Sequence, residues 1–291
     1  MEPLIGIVIL NWNGTADTLE CLGSITKIVD ANYRIYIIDN GSSRSCKQEV
    51  LSAYPAVNVI ELPINRGFAG GVNVGIKAAL ADRADYVWML NNDTVVERWT
   101  LQNLLKVAET DPSYGIIGSK ILRYDNRSII DHAGGKIYPC MGRIKHIGSG
   151  KRDLSQYNSI RVVDYVTGCS LLAKRPVIEE SGLLPEIYFL YFEETEWCIK
   201  ASRRGWKVVY APESRVYHKI AKSIGQKSAL TTYYFARNSL LFIQRNFPLL
   251  LPMAIFWWPR YFVINHLMKM RIKHLKYALM GLHDFFSVYA R

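Results

Sequence analysis

Asn91, Asn92 and Asp93 interrupt an apolar run that opens at Tyr86-Val-Trp-Met-Leu90 and resumes at Thr94-Val-Val96. Three polar side chains at the end of a buried strand are costly unless something there needs oxygen ligands. A carboxylate beside amide oxygens suits a hard divalent cation, often one shared with substrate phosphates. The plain alternative is a turn, which Asn and Asp favour in any case. A second stretch, Tyr188 to Trp197, carries Glu193, Glu194 and Glu196 behind a run of aromatic residues. Acids in a first helical turn complement the helix dipole by ~0.3–1 kcal/mol, which alone accounts for their presence. The preceding aromatics, however, would desolvate a carboxylate, raise its pKa and make it a better base. His218 joins as a third candidate ligand only if the fold returns it to Asp93.

The elements that must position these residues alternate in type. Ile5 to Leu10, Tyr33 to Ile38, Val57 to Leu62 and the run from Tyr86 read as strands. Between them lie helices: one with Leu19, Leu22 and Ile25 on a face, one running to Ala81, and one from Thr100 to Thr110. This order predicts an α/β fold, a mostly parallel sheet with helices on both faces. Its C-terminal strand edges then converge, bringing Asn11, Asp39 and Asn91–Asp93 to the side where such sheets bind ligands. The stretch Asn65-Arg-Gly-Phe-Ala-Gly-Gly71 opens a helix on the same edge. Its glycines either let backbone N–H groups approach a phosphate or allow tight packing. Residues 125–153 read as an insertion or hairpin, Val162 to Ala173 as a strand, and Val208 to Ala211 as another.

Composition narrows the class. The 291 residues suffice for a full core, and the net charge of +11 is unevenly spread. Residues 197–291 carry 16 Lys and Arg against only Glu213 and Asp284. That asymmetry points to an anionic partner, a membrane surface or a nucleic acid. Five scattered cysteines without a Cys-x-x-Cys pair fit a reducing compartment rather than a disulfide framework or zinc site. Met1-Glu-Pro3 lacks the basic start of a signal peptide, so a cytoplasmic protein is expected. A dinucleotide-binding glycine fingerprint, a P-loop and a nucleophile elbow are all missing.

The ordered set Asn11-Trp-Asn-Gly14, Asp39-Asn-Gly-Ser42, Asn65-x-Gly-Phe-Ala-Gly-Gly-x-Asn73, Leu90-Asn-Asn-Asp-Thr94, Tyr191-Phe-Glu-Glu-x-Glu196, His218 and Arg237-Asn238 resembles family 2 glycosyltransferases. Within them it is most similar to the rhamnosyltransferase-like branch of bacterial polysaccharide assembly. The resemblance spans about residues 4–245 and implies a GT-A fold, a nucleoside-diphosphate sugar donor, Mg2+ or Mn2+, and inversion at the anomeric carbon. It would place Asn11, Asp39, Asn65, Gly70, Gly71, Asn73 and Asn92 on the nucleotide sugar, with Asp39 on a pyrimidine base. Asp93, with Asn91 and His218, would hold the metal. Glu194 or Glu193 would be the base, and Glu196, Trp197 and Arg237 would lie on the acceptor side. The family usually has Glu-Asp-x-Asp where this chain has Glu193-Glu-Thr-Glu196, so the base stands on a longer side chain. The Gln-x-x-Arg-Trp motif of processive synthases is missing, which favours single transfers onto a saccharide or polyprenyl-linked acceptor.

The expected division is a catalytic domain at 1–245 and a C-terminal hydrophobic, amphipathic helical segment at 246–291. Pro248, Pro252, Pro259 and Arg260 make a simple spanning helix a poor reading of that segment. Lys269, Arg271, Lys273 and Lys276 among Leu and Met suit an interfacial helix drawn to anionic lipid. The alternative is a helical hairpin packed on the catalytic domain or on a second copy in a homodimer. The expectation is a peripheral protein on the inner face of the cell membrane. Another nucleotide-sugar transferase or a basic nucleic-acid-binding protein are the competing functions, with no nucleic-acid partner expected.

Overall fold

The computed structural model describes residues 2–219 and 228–289. Twelve strands appear among them: β1 Leu4–Asn11, β2 Asn32–Asn40, β3 Asn58–Leu62, β4 Tyr86–Asn91, β5 Thr94–Val96, β6 Tyr114–Arg123, β7 Ile130–His132, β8 Gly135–Tyr138, β9 Arg143–His146, β10 Arg161–Val162, β11 Ser170–Lys174 and β12 Lys207–His218. The α-helices are α1 Thr15–Ile25, α2 Lys47–Ala53, α3 Gly67–Ala81, α4 Thr100–Thr110, α5 Arg175–Ser181, α6 Glu193–Ser202, α7 Ala229–Asn246, α8 Leu251–Pro259, α9 Asn265–Met268 and α10 Ile272–Asp284.

The main sheet runs β10-β12-β6-β11-β4-β1-β2-β3, with β5 added to β12 and β7 to β6. β1 pairs in parallel with β2 and β4, and β2 with β3, which is the α/β arrangement expected from the alternation. Register brings Asn11 beside Asp39 and Leu10 beside Asn91, so the three polar strand ends share one edge. β11 runs antiparallel between β4 and β6.

Alternation along the strands splits the core between the two faces of the sheet. Ile5, Ile7 and Ile9 of β1 are buried with Leu22 and Ile25 of α1 and Leu101 and Leu104 of α4. Burying each such side chain contributes ~1.5–3 kcal/mol. Val8, Ile38 and Met89 instead join Val72 and Ile76 of α3, Trp197 of α6, and Leu240 and Phe242 of α7.

Two stretches differ from the sequence reading. Val162 to Ala173 is not one strand: β10 and β11 belong to different places in the sheet, joined by residues 163–169. β12 continues past Ala211, where the strand was expected to end, through Pro212 to His218, because a register shift between Ala211 and Arg215 absorbs the proline. That extension carries His218 to β5 and so to the end of β4.

The C-terminal helices pack back onto the rest of the chain. Trp258 Nε1 donates to the Ala236 carbonyl at 3.0 Å, and Tyr233 Oη donates to Asp284 at 2.6 Å. Ala254, Trp258, Ala278 and Phe285 are buried in the same core as α7. Among the described residues no helix is long and apolar enough to cross a membrane.

Candidate active site

A cleft of about 220 Å³ opens at the strand edge, lined among others by Trp12, Asn65, Phe68, Asn91, Asp93, Tyr191 and His218. Asn92 lines it too, held in place by Nδ2 bonds to Thr18 Oγ1 at 3.0 Å and to the Gly14 carbonyl at 3.3 Å. The lining is mixed in character. Leu10, Trp12, Phe68, Phe189 and Tyr191 offer apolar and aromatic surface, while the polar groups are Asn91, Asn92, Asp93 and His218 at the ends of β4 and β12, with Asn40 and Asn65 beside the start of α3.

Asp93 and His218 meet there. Asp93 Oδ1 lies 3.3 Å from His218 Nε2, and His218 Nδ1 lies 3.3 Å from Asp131 Oδ2. Burial disfavours the imidazolium, but the two flanking carboxylates outweigh it and push the His218 pKa up to about 9. Burial works against both carboxylates as well, yet His218 holds each below its ordinary value. A carboxylate on the far nitrogen is the arrangement that orients a metal-binding imidazole. No group of three His, Cys, Asp or Glu side chains suited to a metal occurs among the described residues. Asp93 and His218, with Asn91 beside them on the cleft wall, could fit a hard cation only as a partial ligand set, its remaining positions left to groups from outside the protein.

Other expected site residues lie behind the cleft surface. Asn11 is fully buried: its Oδ1 accepts from Thr18 Oγ1 at 2.9 Å and Gly14 N at 3.3 Å, and its Nδ2 donates to Ser42 Oγ at 3.3 Å. Asp39 is 2% exposed, and its carboxylate accepts from the backbone N–H of Cys46 at 2.7 Å and Ser42 at 3.2 Å. Both side chains are spent on shaping the loops after β1 and β2. Asn73 is likewise buried, exchanging bonds of 3.0 and 2.9 Å with the Leu184 backbone.

The glycine-rich helix start is mainly a packing device. A Cβ on Gly71 would sit 2.3 Å from Leu10 Cδ1, so α3 approaches β1 closely only because the residue is Gly. Gly70 faces Arg66 in the same way. Gly67 has φ +73°, and a Cβ there would meet the Phe189 carbonyl oxygen at 2.3 Å. Phe68 N donates to that same carbonyl at 2.7 Å, fastening the start of α3 to the turn before α6. Asn65 Oδ1 accepts from Gly67 N at 2.8 Å and from Asn40 Nδ2 at 3.0 Å, so Asn40 joins the cleft wall.

The turn before α6 is strained. Phe189, Tyr191 and Phe192 all have positive φ, at 63°, 69° and 79°. Such a backbone costs bulky residues ~1–3 kcal/mol each and persists only where surrounding structure imposes it. It delivers Glu193 and Glu194 into the interior, where one oxygen of each is buried without a hydrogen-bond partner. Burial, and for Glu193 also the adjacent Glu194, raises both pKa values above the ordinary carboxylate range. Backbone N–H groups, that of Gly168 for Glu194, partly offset the rise. Phe68 of the cleft packs toward the same Gly168, and the next carbonyl, Cys169, accepts from Asn91 N at 3.0 Å. The carboxyl pair thus lies directly behind the cleft wall.

Glu196, Trp197 and Arg237 are closed to an acceptor in this structure. Glu196 is 1% exposed and takes bonds from Arg245 at 2.9 and 3.0 Å, from Asn246 at 3.1 Å and from Tyr188 Oη. Trp197 is fully buried with Nε1 on the Gly182 carbonyl at 2.7 Å. Arg237 donates to the Tyr188 carbonyl at 2.7 Å. Asp131, Asn40 and Trp12 went unassigned in the sequence. Trp12 and Asn40 stood in stretches already marked, the ends of the first two strands, while Asp131 did not.

The sequence matches the family described as Glycosyl transferase family 2 over residues 6–179. It is 24% identical over 202 residues to the low-salt glycan biosynthesis hexosyltransferase of Haloferax volcanii, a match covering 68% of this chain and 62% of that protein. It is 23% identical over 270 residues to the N-acetylglucosaminyl-diphospho-decaprenol L-rhamnosyltransferase of Mycobacterium tuberculosis, covering 84% of this chain and 85% of that one. Among solved structures, a mannosyltransferase from Pyrobaculum calidifontis in complex with GDP-Man and Mn2+ superposes with a TM-score of 0.62. That match covers 99% of this chain and 88% of the other at 14% identity, a likeness of fold. With the family match running from β1 past the polar end of β4 and into α5, this chain belongs to glycosyl transferase family 2 and is a glycosyltransferase of the GT-A fold.

Proposed function

We propose that the chain transfers a single sugar, rhamnose or a related hexose, from a nucleoside-diphosphate sugar to a saccharide or polyprenyl-linked saccharide, with inversion. The observation that carries this reading is that one cleft bears both the Asp93–His218 pair and the turn that leads straight into Glu193 and Glu194. Trp12, Phe68 and Tyr191 supply apolar faces against which a base or sugar ring rests. Asp93 and His218, with Asn91, would hold Mg2+ or Mn2+, which when bound neutralises charge on the departing diphosphate. Asn92, Asn65 and Asn40 bound the donor, and Asn11, Asp39, Gly70, Gly71 and Asn73 hold the elements that carry them. Glu194, or Glu193 beside it, removes the acceptor hydroxyl proton, its pKa raised by burial so that it is a stronger base than an ordinary glutamate. The hydroxyl then attacks the anomeric carbon from the face opposite the diphosphate, and no covalent enzyme intermediate forms. The relative from Mycobacterium tuberculosis, whose name gives a decaprenol-linked substrate, supports the polyprenyl acceptor.

The test is a thermal-shift screen of nucleoside diphosphates and their sugars with and without Mn2+, followed by NMR of the product anomer. Stabilisation by a nucleoside diphosphate that requires the metal, and inverted product, are expected. Metal-independent transfer with retention would overturn the reading.

A boundary near residue 245 divides the work, with donor chemistry before it and attachment to the inner face of the cell membrane after it. Leu249, Phe256, Met268, Met270 and Ile272 are each at least 66% exposed, among Arg260, Lys269, Arg271 and Lys273. The only acid on the described part of this segment, Asp284, is engaged by Tyr233 and His283. Apolar side chains ringed by cations without competing acids suit an anionic bilayer. Phe256→Glu with Met268→Glu should abolish sedimentation with phosphatidylglycerol vesicles; unchanged sedimentation, or a dimer in light scattering that the variant dissolves, would refute it.

A further inference from the structure

We propose that Asn238, assisted by Arg237, is a positioning residue for the transfer: it holds the turn 188–191, in which Phe189 and Tyr191 have positive φ, and thereby sets the carboxyls of Glu193 and Glu194. The proposal rests on the reading of that pair as the seat of the base. Asn238 is fully buried on α7, and its Nδ2 faces three carbonyls of the turn: Leu190 at 2.8 Å, Tyr191 at 3.0 Å and Tyr188 at 3.3 Å. Which way its amide points is fixed by Arg237, whose Nε donates to Asn238 Oδ1 at 2.8 Å. Arg237 Nη2 then adds a bond of 2.7 Å to the Tyr188 carbonyl. Four donor contacts from two consecutive residues thus fall on one short turn.

The residue type follows from this geometry. Asp in place of Asn would set an anionic oxygen against carbonyl oxygens and against no donor but Arg237. Leu or Ala would leave buried carbonyls without partners. An amide alone meets both demands, an acceptor toward the Arg237 guanidinium and donors toward the turn.

Two peptide units of the turn carry the effect onward. The Leu190 carbonyl held by Asn238 shares its peptide unit with the Tyr191 N–H, which acts on the Glu193 carboxyl and favours the charged form. The Phe189 carbonyl, one residue before Leu190, takes the N–H of Phe68 at the cleft. Rotating the Leu190–Tyr191 peptide would withdraw that N–H from Glu193. The other ionisable groups acting on the pair are Tyr165 and Cys198, both on Glu194, and the Tyr191 phenol. Asp93 and His218 stand on other elements, so the residues that would hold the metal and diphosphate do not depend on this clamp, although Phe189, Leu190 and Tyr191 line the same cleft.

The experiment is Asn238→Ser in the full chain, with Arg237→Lys as the second variant should the first not fold. Three quantities are read: the turnover number, the affinity for the nucleoside diphosphate with Mn2+, and the infrared stretch of protonated carboxyl groups. Glu193→Gln and Glu194→Gln assign that stretch. Turnover should fall ~10–100-fold, as expected for a displaced catalytic group. Nucleotide affinity should fall much less than turnover, since Asp93 and His218 are untouched, and the assigned infrared stretch should shift. An unshifted stretch with unchanged turnover refutes the proposal. So does an unshifted stretch with turnover, affinity and thermal midpoint falling together, which marks a purely structural role. If the wild-type chain neither transfers nor hydrolyses a sugar nucleotide, the reading of the site fails, while the infrared comparison still decides the clamp.

Discussion

His218 presents Nε2 to Asp93 while Asp131 Oδ2 sits 3.3 Å from its other nitrogen, so a residue from β7 decides how a residue from β12 faces the cleft. If His218 is a ligand, Asp131 controls its orientation and basicity. Asp131→Ala should weaken Mn2+ binding in the presence of a nucleoside diphosphate by ~10–100-fold. A Mn2+ titration followed by electron paramagnetic resonance measures this, and equal affinity would remove Asp131 from the site.

Glu193 and Glu194 are separated by substitution. Glu194→Gln should cut turnover by ~10²–10⁴-fold while sparing nucleotide binding, the usual range for loss of a general base. Because the base acts deprotonated and its pKa is raised by burial, activity in the wild type should fall on the acid side at a pH above that of an ordinary glutamate. Glu193→Gln removes a neighbouring acid, so that limb should not rise. If Glu193→Gln gives the large loss instead, the base is one residue earlier.

The sheet was legible because strand alternation and polar strand ends are local signals, and the register of β1, β2 and β4 followed. What a polar side chain does at such an end was not. Asn11 and Asp39 look like ligand residues in the sequence, yet both are consumed by loops up to 31 residues away. Glu193, Glu194 and Glu196 are alike on paper; Arg245, 49 residues later, separates the last from the other two. Asp131 sits in a stretch of weak periodicity, and only the β-bulge that tolerates Pro212 brings His218 to it. Local pattern marks where a site is, while long-range partners assign the roles.

Gly67 tests the junction of α3 and the strained turn. Ala there faces both a positive φ and a contact of 2.3 Å with the Phe189 oxygen. Gly67→Ala should destabilise the chain by ~2 kcal/mol or more, since the backbone must shift and the Phe68–Phe189 bond with it. Urea denaturation at neutral pH measures the loss; a change within 0.5 kcal/mol, typical of a neutral surface site, would show that the contact yields freely.

Glu196 predicts how stability depends on acid. Burial alone would raise its pKa, but Arg245, Tyr188 and Asn246 all bond the charged form and hold it at about 2, against 4.5 for the free group. A carboxyl whose pKa is depressed on folding stabilises the native state above its unfolded pKa, and that contribution is lost as pH falls toward the folded value. The window is therefore from about pH 5 down to about pH 2. Arg245 is partly exposed, which screens the pair, so the contribution is of order 1–3 kcal/mol rather than the full shift. Glu196→Gln should lower stability at pH 7, because Arg245 loses its charged partner, and should flatten the acid limb by a similar amount. Urea midpoints at pH 7, 5 and 3 for wild type and variant give the comparison. Parallel curves across that range would mean that Glu196 titrates alike in the folded and unfolded chain, and that the tie between α6 and α7 draws on packing instead of charge.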